Sequence, residues 1–313
     1  TFRYLDGTQN VVADRAHPGV VSRWRESTDS PTSYAAPLGA IVQETYGNFI
    51  CAGRMLDAEE GADGGLGVMG NLNEYGGAAG VAAALALGNG GVYVGQAPYL
   101  LFYPDRNGDD VTDGDPEVLL EGFGLEDAHA VINSLQWGPD GWLYGCHGVF
   151  THSRVGKPGT PDDQRTPLNA GIWRYHPVRH EFEVFAQGTS NPWGLDFNDR
   201  GQAFLTACVI PHLFHVIQGA RYERQAGNHF NPHTYQDLKT IADHRHYTGN
   251  QWNNGDRRSS DALGGGHAHA GAMIYQGGSW PESFRGKLFM NNIHGNRVNV
   301  DILTPEGSGF IGS

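Results

Sequence analysis

No uninterrupted apolar run in this chain approaches the ~20 residues of a membrane-spanning helix, so no span of that kind is expected. Basic side chains are scarce: 21 Lys and Arg stand against 34 Asp and Glu, for a formal net charge of −13. An acidic surface repels phosphate backbones and anionic lipid alike, which argues against nucleic acid or a charged membrane as partner. The plain use of such a surface is solubility. Cysteine is limited to Cys51, Cys146 and Cys208. An odd count leaves at least one thiol free or paired outside the chain. Cys146 and Cys208 each follow a similar hairpin, which allows them to lie near each other; buried free thiols are the alternative. Cys-x-x-Cys-His is missing, so no c-type haem can attach. No Gly-x-Gly-x-x-Gly precedes a helix, and no Ser nucleophile elbow occurs. Gly264-Gly-Gly reads instead as a turn into His267. No basic-then-apolar leader opens the chain at Thr1, so any signal peptide is expected to have been removed.

What is abundant is glycine, 46 residues, with 11% aromatics. That mixture suits short strands joined by tight turns. The stretch His129 to Gly148 shows the pattern. Trp137-Gly-Pro-Asp-Gly-Trp-Leu-Tyr144 reads as strand, turn and strand. Pro sets φ, Asp bonds its own backbone and Gly takes φ > 0. The shape recurs. Gly, a variable residue and two apolar ones begin at 91, 141, 201 and 286, spaced by 50, 60 and 85 residues. Trp137 and Phe197 stand four residues before their Gly, with Leu87 in that place before Gly91. Repeats of roughly 40–50 residues with several strands each mark propeller blades, with insertions carried by loops. An all-β β-propeller is therefore expected, with Trp137 and Phe197 equivalent in neighbouring blades; another sandwich or barrel is the alternative.

Residues 1–86 are hard to read and are assigned to the first blade or blades. Within them Gly76 to Leu87, rich in Ala, favours a short helix by propensity. Residues 87–313 carry the clear units. Strands are expected at Gly91–Val94, Tyr99–Tyr103, Glu117–Leu120, Gly171–Tyr175, Glu181–Phe185, Leu213–Ile217, Ala270–Tyr275, Lys287–Asn291 and Val298–Leu303. Thr151–Ala170 reads as a long surface loop, and 220–265 as a His- and Asn-rich insertion without a repeat. Four units are clear and a closed ring needs more, so the chain is expected to be a segment of a longer protein.

Two groups of residues carry candidate chemistry. In Asp105-Arg-Asn-Gly-Asp-Asp-Val-Thr-Asp113, the side chains of Asp105, Asn107, Asp109 and Asp113 alternate with non-ligands, and the Val111 carbonyl is placed to join them. Hard cations take oxygens at such spacing, which points to a structural Ca2+; an acidic turn in water is the alternative. The other group is histidine, 15 in all, with His-x-His at His244/His246 and His267/His269. Alternate strand residues share a face and can chelate a metal. The competing reading is that they hydrogen-bond loop backbone. His147, His152, His176 and His180 read as surface or loop-packing residues.

Three runs carry a family resemblance: LQWGPDGWLYGCHGVFTHSRVGKPGT, GIWRYHPVRHEFEVFAQGTSNPWGLDFNDRGQAFLTACVIPHLFHVIQGARY and GGGHAHAGAMIYQGGSWPESFRGKLFMNNIHG. They resemble the membrane-bound dehydrogenase domain of Pirellula- and Verrucomicrobium-type bacteria. That family is similar in turn to soluble quinone-dependent sugar dehydrogenases, which are six-bladed propellers. The resemblance covers residues 87 to 313. It implies an extracytoplasmic oxidoreductase acting on a sugar or related alcohol, with pyrroloquinoline quinone or another redox cofactor, and with further domains or an electron-transfer partner. A non-catalytic propeller serving as a binding or assembly module is the alternative. His129 holds the place of the catalytic base ahead of the Gly-Pro-Asp turn. Asn191 matches the Asn of an Arg-Asn-Pro grip on the quinone, but Ser190 stands for the Arg. His294 stands where a Lys contacts the quinone. His129, Asn191, His269 and His294 come from three units, the last two from the same one. They are expected to line one axial pocket, with His267 close by.

Overall fold

The computed structural model describes residues 3–5, 11–13, 85–127, 131–208, 212–230, 236–242, 269–293 and 297–313. The chain divides into two units, Thr1–Ala83 and Ala84–Ser313. In the first, β1 (Arg3–Leu5) pairs antiparallel with β2 (Val11–Ala13).

The second unit is a succession of antiparallel meanders. Sheet A is β3 (Leu85–Leu87), β4 (Gly91–Gln96), β5 (Tyr99–Pro104) and β6 (Glu117–Glu121), in chain order. Sheet B takes β7 (Asn133–Trp137) and β8 (Leu143–His147), then β11 (Gly171–His176) and β12 (Glu181–Thr189). Between its halves β9 (Ser153–Val155) and β10 (Thr166–Leu168) form a separate hairpin. Sheet C is β13 (Pro192–Phe197), β14 (Ala203–Ala207) and β15 (Leu213–Val216). β16 (Arg221–Arg224) then returns to lie parallel on β12. Sheet D is β17 (His269–Ile274), β18 (Lys287–Asn292), β19 (Arg297–Glu306) and β20 (Gly309–Gly312).

The turns explain the meanders. Gly141 sits at φ 80° and its N–H reaches the Gly138 carbonyl, while the Asp140 carboxylate accepts the Trp142 N–H. Gly201 sits at φ 73°, with the Asn198 side chain accepting from Arg200 and Gln202. In sheet A the turn is Asn89-Gly90, at φ 53° and 74°, the pair of positive values that a type I′ hairpin requires. Trp137, Phe197 and Ile274 occupy equivalent places, each paired with the residue two past the turn glycine.

Among the described residues, three apolar clusters join successive sheets. Tyr93, Leu100, Leu120, Leu135 and Trp173 pack together, joining A to B. Tyr144, Ile172, Phe185, Leu195, Phe197 and Leu205 join B to C. Phe204, Leu213, Ile274, Leu288 and Met290 join C to D. Burying each large side chain contributes about 1.5–3 kcal/mol. β8, β11 (save His176) and β14 are buried along their length, so B and C are covered on both faces. β19 alternates, with Asn299 and Asp301 buried and Val298, Val300 and Ile302 exposed, so D keeps one face open.

The first strands adjoin one another. Trp137 Nε1 donates to the Leu87 carbonyl at 2.6 Å, from β7 to β3. Asp196 on β13 accepts from Ile274 N on β17 at 2.6 Å and from Gln136 Nε2 on β7 at 3.4 Å. β7, β13 and β17 each shift register near their start, between Asn133 and Gln136, Pro192 and Leu195, and Ala270 and Met273. Each shift carries a positive φ, at Ser134 (53°), Gly194 (154°) and Gly271 (73°). Gly194 is indispensable there: a Cβ would meet the Gly271 carbonyl carbon at 2.4 Å and Ala272 N at 2.6 Å.

Four expectations are corrected. Leu85–Leu87 is a strand, because pairing with β4 and burial of Ala86 override helix propensity; residues 76–84 lie outside the described residues. Thr151–Ala170 is not a plain loop, since Val155 and Leu168 are buried in the A–B cluster and fold it into the β9–β10 hairpin. The 220–265 stretch supplies β16, whose parallel pairing leaves no hairpin signal in the sequence. The chain also continues past the last expected strand into β20.

Candidate functional site

Register places one set of residues at a common end, where each first strand begins. In B this end holds Asn133, His147, Gly171 and Gln187. In C it holds Pro192, Ala207 and Leu213, and in D His269, Asn292 and Arg297. Many of the buried polar residues gather here: Asn133, His147, Thr151, Ser153, Asn169, Thr189, Ser190, His212, His269 and Asn292. Buried polar groups require partners, and those partners define the site.

Between B and C stands Asn191. Its Oδ1 accepts the Val149 N–H at 3.2 Å and its carbonyl accepts the Cys208 N–H at 2.8 Å. The amide is thereby fixed by its oxygen, in a residue that is half-buried. Ser190 is buried, and its Oγ accepts the Asn191 N–H at 2.6 Å. Thr189 is held at φ 72°, rare for a β-branched residue, and its buried Oγ1 has no hydrogen-bond partner among the described residues. Arg224, opposite Thr189, donates Nε to the Ala226 carbonyl and Nη1 to the Asn169 carbonyl, with Nη2 on Asn169 Oδ1. Burial draws its pKa below the ordinary arginine value.

His147 is fully buried, which excludes the surface half of its surface or loop-packing reading. Nδ1 lies 3.0 Å from the Gly148 carbonyl, which can only accept, so the proton is on Nδ1. Nε2 then accepts from Ser153 Oγ at 2.7 Å, while that oxygen accepts the Gly124 N–H. Burial lowers the imidazole to about 4, against the opposing pull of the Gly148 carbonyl. It is neutral at physiological pH. Cys146 and Cys208 are free, and burial pushes both thiols up to about 12, with Cys146 adding to the rise at Cys208.

Between C and D lies a second polar group. His212 Nε2 is 2.9 Å from Asp301 Oδ2, and both side chains are wholly buried. The His212 ring packs on His269 at 4.9 Å between centroids, and His269 Nε2 lies 3.3 Å from Asn299 Nδ2. Deeper on β13, Asp196 also accepts the Phe197 N–H at 2.8 Å. Burial raises its carboxyl to about 6, against the Ile274 and Phe197 amides.

Of the sequence candidates, Asn191 and His269 fall at this end, Asn191 in the B–C junction and His269 buried in the C–D junction. His129, His267 and His294 lie outside the described residues, as do His244 and His246. The acidic loop is closed on itself. Asp105 accepts the N–H groups of Gly108, Asp109 and Asp110, and Asp109 accepts that of Val111. Asn107 Nδ2 donates to Asp109, and Asp113 accepts the Arg106 N–H. Among the described residues no three His, Cys, Asp or Glu side chains gather as a metal-binding group. Sequence reasoning missed His212, Asp301, Asn299 and Asp196. The one signal available was a charged residue inside an apolar alternation, as with Asp301 in Val298–Leu303.

The cofactor of the resembling enzymes is an anionic quinone. Among the described residues, the donors at this end do not fit it: Ser190 is turned onto the Asn191 N–H, Arg224 is occupied by Asn169 and Ala226, Arg297 is already engaged, and His147 is neutral.

Comparison with solved structures gives distant similarities. The PQQ-bound form of an aldose sugar dehydrogenase from Streptomyces coelicolor is 15% identical, with a TM-score of 0.44 over 99% of this chain and 78% of that chain. A glucose dehydrogenase is 16% identical, with a TM-score of 0.45 over 74% of this chain and 67% of that one. An oxidoreductase (glucose dehydrogenase) from Thermus thermophilus is 14% identical, with a TM-score of 0.35 over 73% and 80%. No curated protein matches the chain. The family model for a FAD dependent oxidoreductase matches residues 11–93. A second family model matches residues 78–313, and by that match the chain belongs to the DUF7133 family, a domain of unknown function.

Proposed function

We propose that the chain is a six-bladed β-propeller of dehydrogenase type and an oxidoreductase for a sugar or related alcohol outside the cytoplasm. The observation that carries this reading is the series of meanders whose first strands adjoin, with buried polar side chains collected at the end where those strands begin. Ligand sites of ring-shaped β folds collect at such mouths. The match of residues 11–93 to a FAD dependent oxidoreductase model supports the redox part. His129 takes the hydroxyl proton of the substrate while hydride leaves its carbon for a two-electron acceptor; a neutral imidazole suits that task near neutral pH. His267, His269, His294 and Asn191 shape the mouth around it. Ca2+ is a structural ion of the Asp105 loop, held by Asp105, Asn107, Asp109, Asp113 and the Val111 carbonyl. In support, Asp110 stands at φ 62° in the sixth place, where calcium loops make their sharp turn.

The test is the visible spectrum and metal content of the purified protein, followed by dye reduction with glucose and simple alcohols. The His129→Ala variant should keep its fold and lose dye reduction. A second reading, a non-catalytic assembly propeller, is favoured by the complete burial of His147, His212 and His269. It gains if the protein carries no chromophore and reduces no dye.

A further inference from the structure

We infer that the mouth does not seat a carboxylate-bearing quinone, and that the Ser190–Asn191 corner is instead a strut between sheets B and C. The inference rests on the reading of this end as the ligand end. Taking a polyanion out of water is unfavourable by several kcal/mol per charge unless cations and aligned donors replace the solvent. The corner does not supply them. The Ser190 hydroxyl is buried and turned onto the Asn191 N–H. Asn191 joins the sheets through both of its oxygens, by Val149 N–H to Oδ1 and Cys208 N–H to the carbonyl. Arg224 is aimed at Asn169, which itself donates Nδ2 to the Val149 and Thr151 carbonyls. Arg224, Asn169, Val149 and Asn191 thus form one connected chain across the B–C junction. His212 is matched by Asp301, so that pair adds no net positive charge. The chain as a whole carries −13, which opposes the approach of an anion. Among the described residues of this end, Arg297 is already engaged, Asn191 is half-buried and uncharged, and Phe150 and Ile293, just past β8 and β18, are 51% and 59% exposed.

The test titrates the full chain with pyrroloquinoline quinone, with and without Ca2+, by absorbance and calorimetry, and melts two variants. Wild type should show no saturable complex. Asn191→Ala should lower the melting temperature, because the Val149 N–H loses its acceptor. Asn191→Asp retains that acceptor and should melt like wild type. One-to-one binding of the quinone overturns the inference. So does an Asn191→Ala variant that melts like wild type. Dye reduction by a sugar without added quinone would leave the oxidoreductase reading standing whatever the titration gives. Its absence would count against that reading and not against the strut.

Discussion

Replacing Asp196 by Asn tests the electrostatics of the sheet junctions. The carboxylate is 5% exposed and bound by two backbone amides, from Ile274 and Phe197, with no cation among its described hydrogen-bond partners. Moving a carboxyl from 3.8 to about 6 corresponds to about 3 kcal/mol. The folded state therefore binds this proton more tightly than the unfolded state between those values. By linkage, the stability contributed by Asp196 falls as pH rises from 3.8 to about 6. His147 has the opposite sign. Its folded value is lowered from 6.5 to about 4, so the unfolded state binds the proton more tightly and stability rises with pH across that window. The two largely cancel, and wild type should show a shallow pH dependence from these groups. In the Asp196→Asn variant the new side chain would accept one of the two amides through its oxygen but would set its NH2 against the other, a loss of about 1 kcal/mol. That variant should accordingly be less stable than wild type near pH 4. It should gain on wild type by about 3 kcal/mol by pH 7, or roughly 6–12 °C in melting temperature for a unit of this size. Melts followed by circular dichroism at four pH values from 4 to 7 measure the difference. A constant difference across the series would refute the reasoning.

Three further outcomes are expected. Gly194→Ala should destabilise by about 1–3 kcal/mol, since the added methyl meets backbone rather than a movable side chain; an unchanged denaturation midpoint would contradict the close approach of β13 and β17. Ca2+ should raise the melting temperature of wild type and not of Asp105→Ala, and a shift that survives the substitution would place the ion elsewhere. Ser153→Ala should remove the donor to His147 Nε2 and lose about 1 kcal/mol, leaving the imidazole easier to protonate. A histidine titration unchanged by Ser153→Ala would count against the assigned tautomer.

The hairpins were legible because their causes are local. Trp137 to Tyr144 contains its own turn and its own alternation, and the β17–β20 meander was foreseen through Leu303 for the same reason. β16 was not, because parallel pairing of Arg221–Arg224 with β12 joins segments with no shared turn. The β9–β10 hairpin was hidden by polar residues, and only two of its apolar side chains, Val155 and Leu168, anchor it to the core. The site shows the same division. Asn191 was found through its motif. His212 and Asp301 stand 89 residues apart, and nothing near either names the other. His147 was left between a surface and a loop-packing place, because a histidine at the end of a strand carries no mark of the hydroxyl that will face it.

The uneven cladding of the four sheets sets an order of opening. Amide protons exchange through local and subglobal unfolding, and a strand with neighbours on both faces cannot open without disturbing two interfaces. β8, β11 and β14 should therefore exchange most slowly, at rates near those of global unfolding. β19 and β20, with Val298, Val300 and Ile302 facing water, should exchange first. The Asn191 junction then belongs to the slowest part of the molecule, and the His269 junction borders the fastest. A ligand held across both would draw sheet D into the same cooperative unit as B and C.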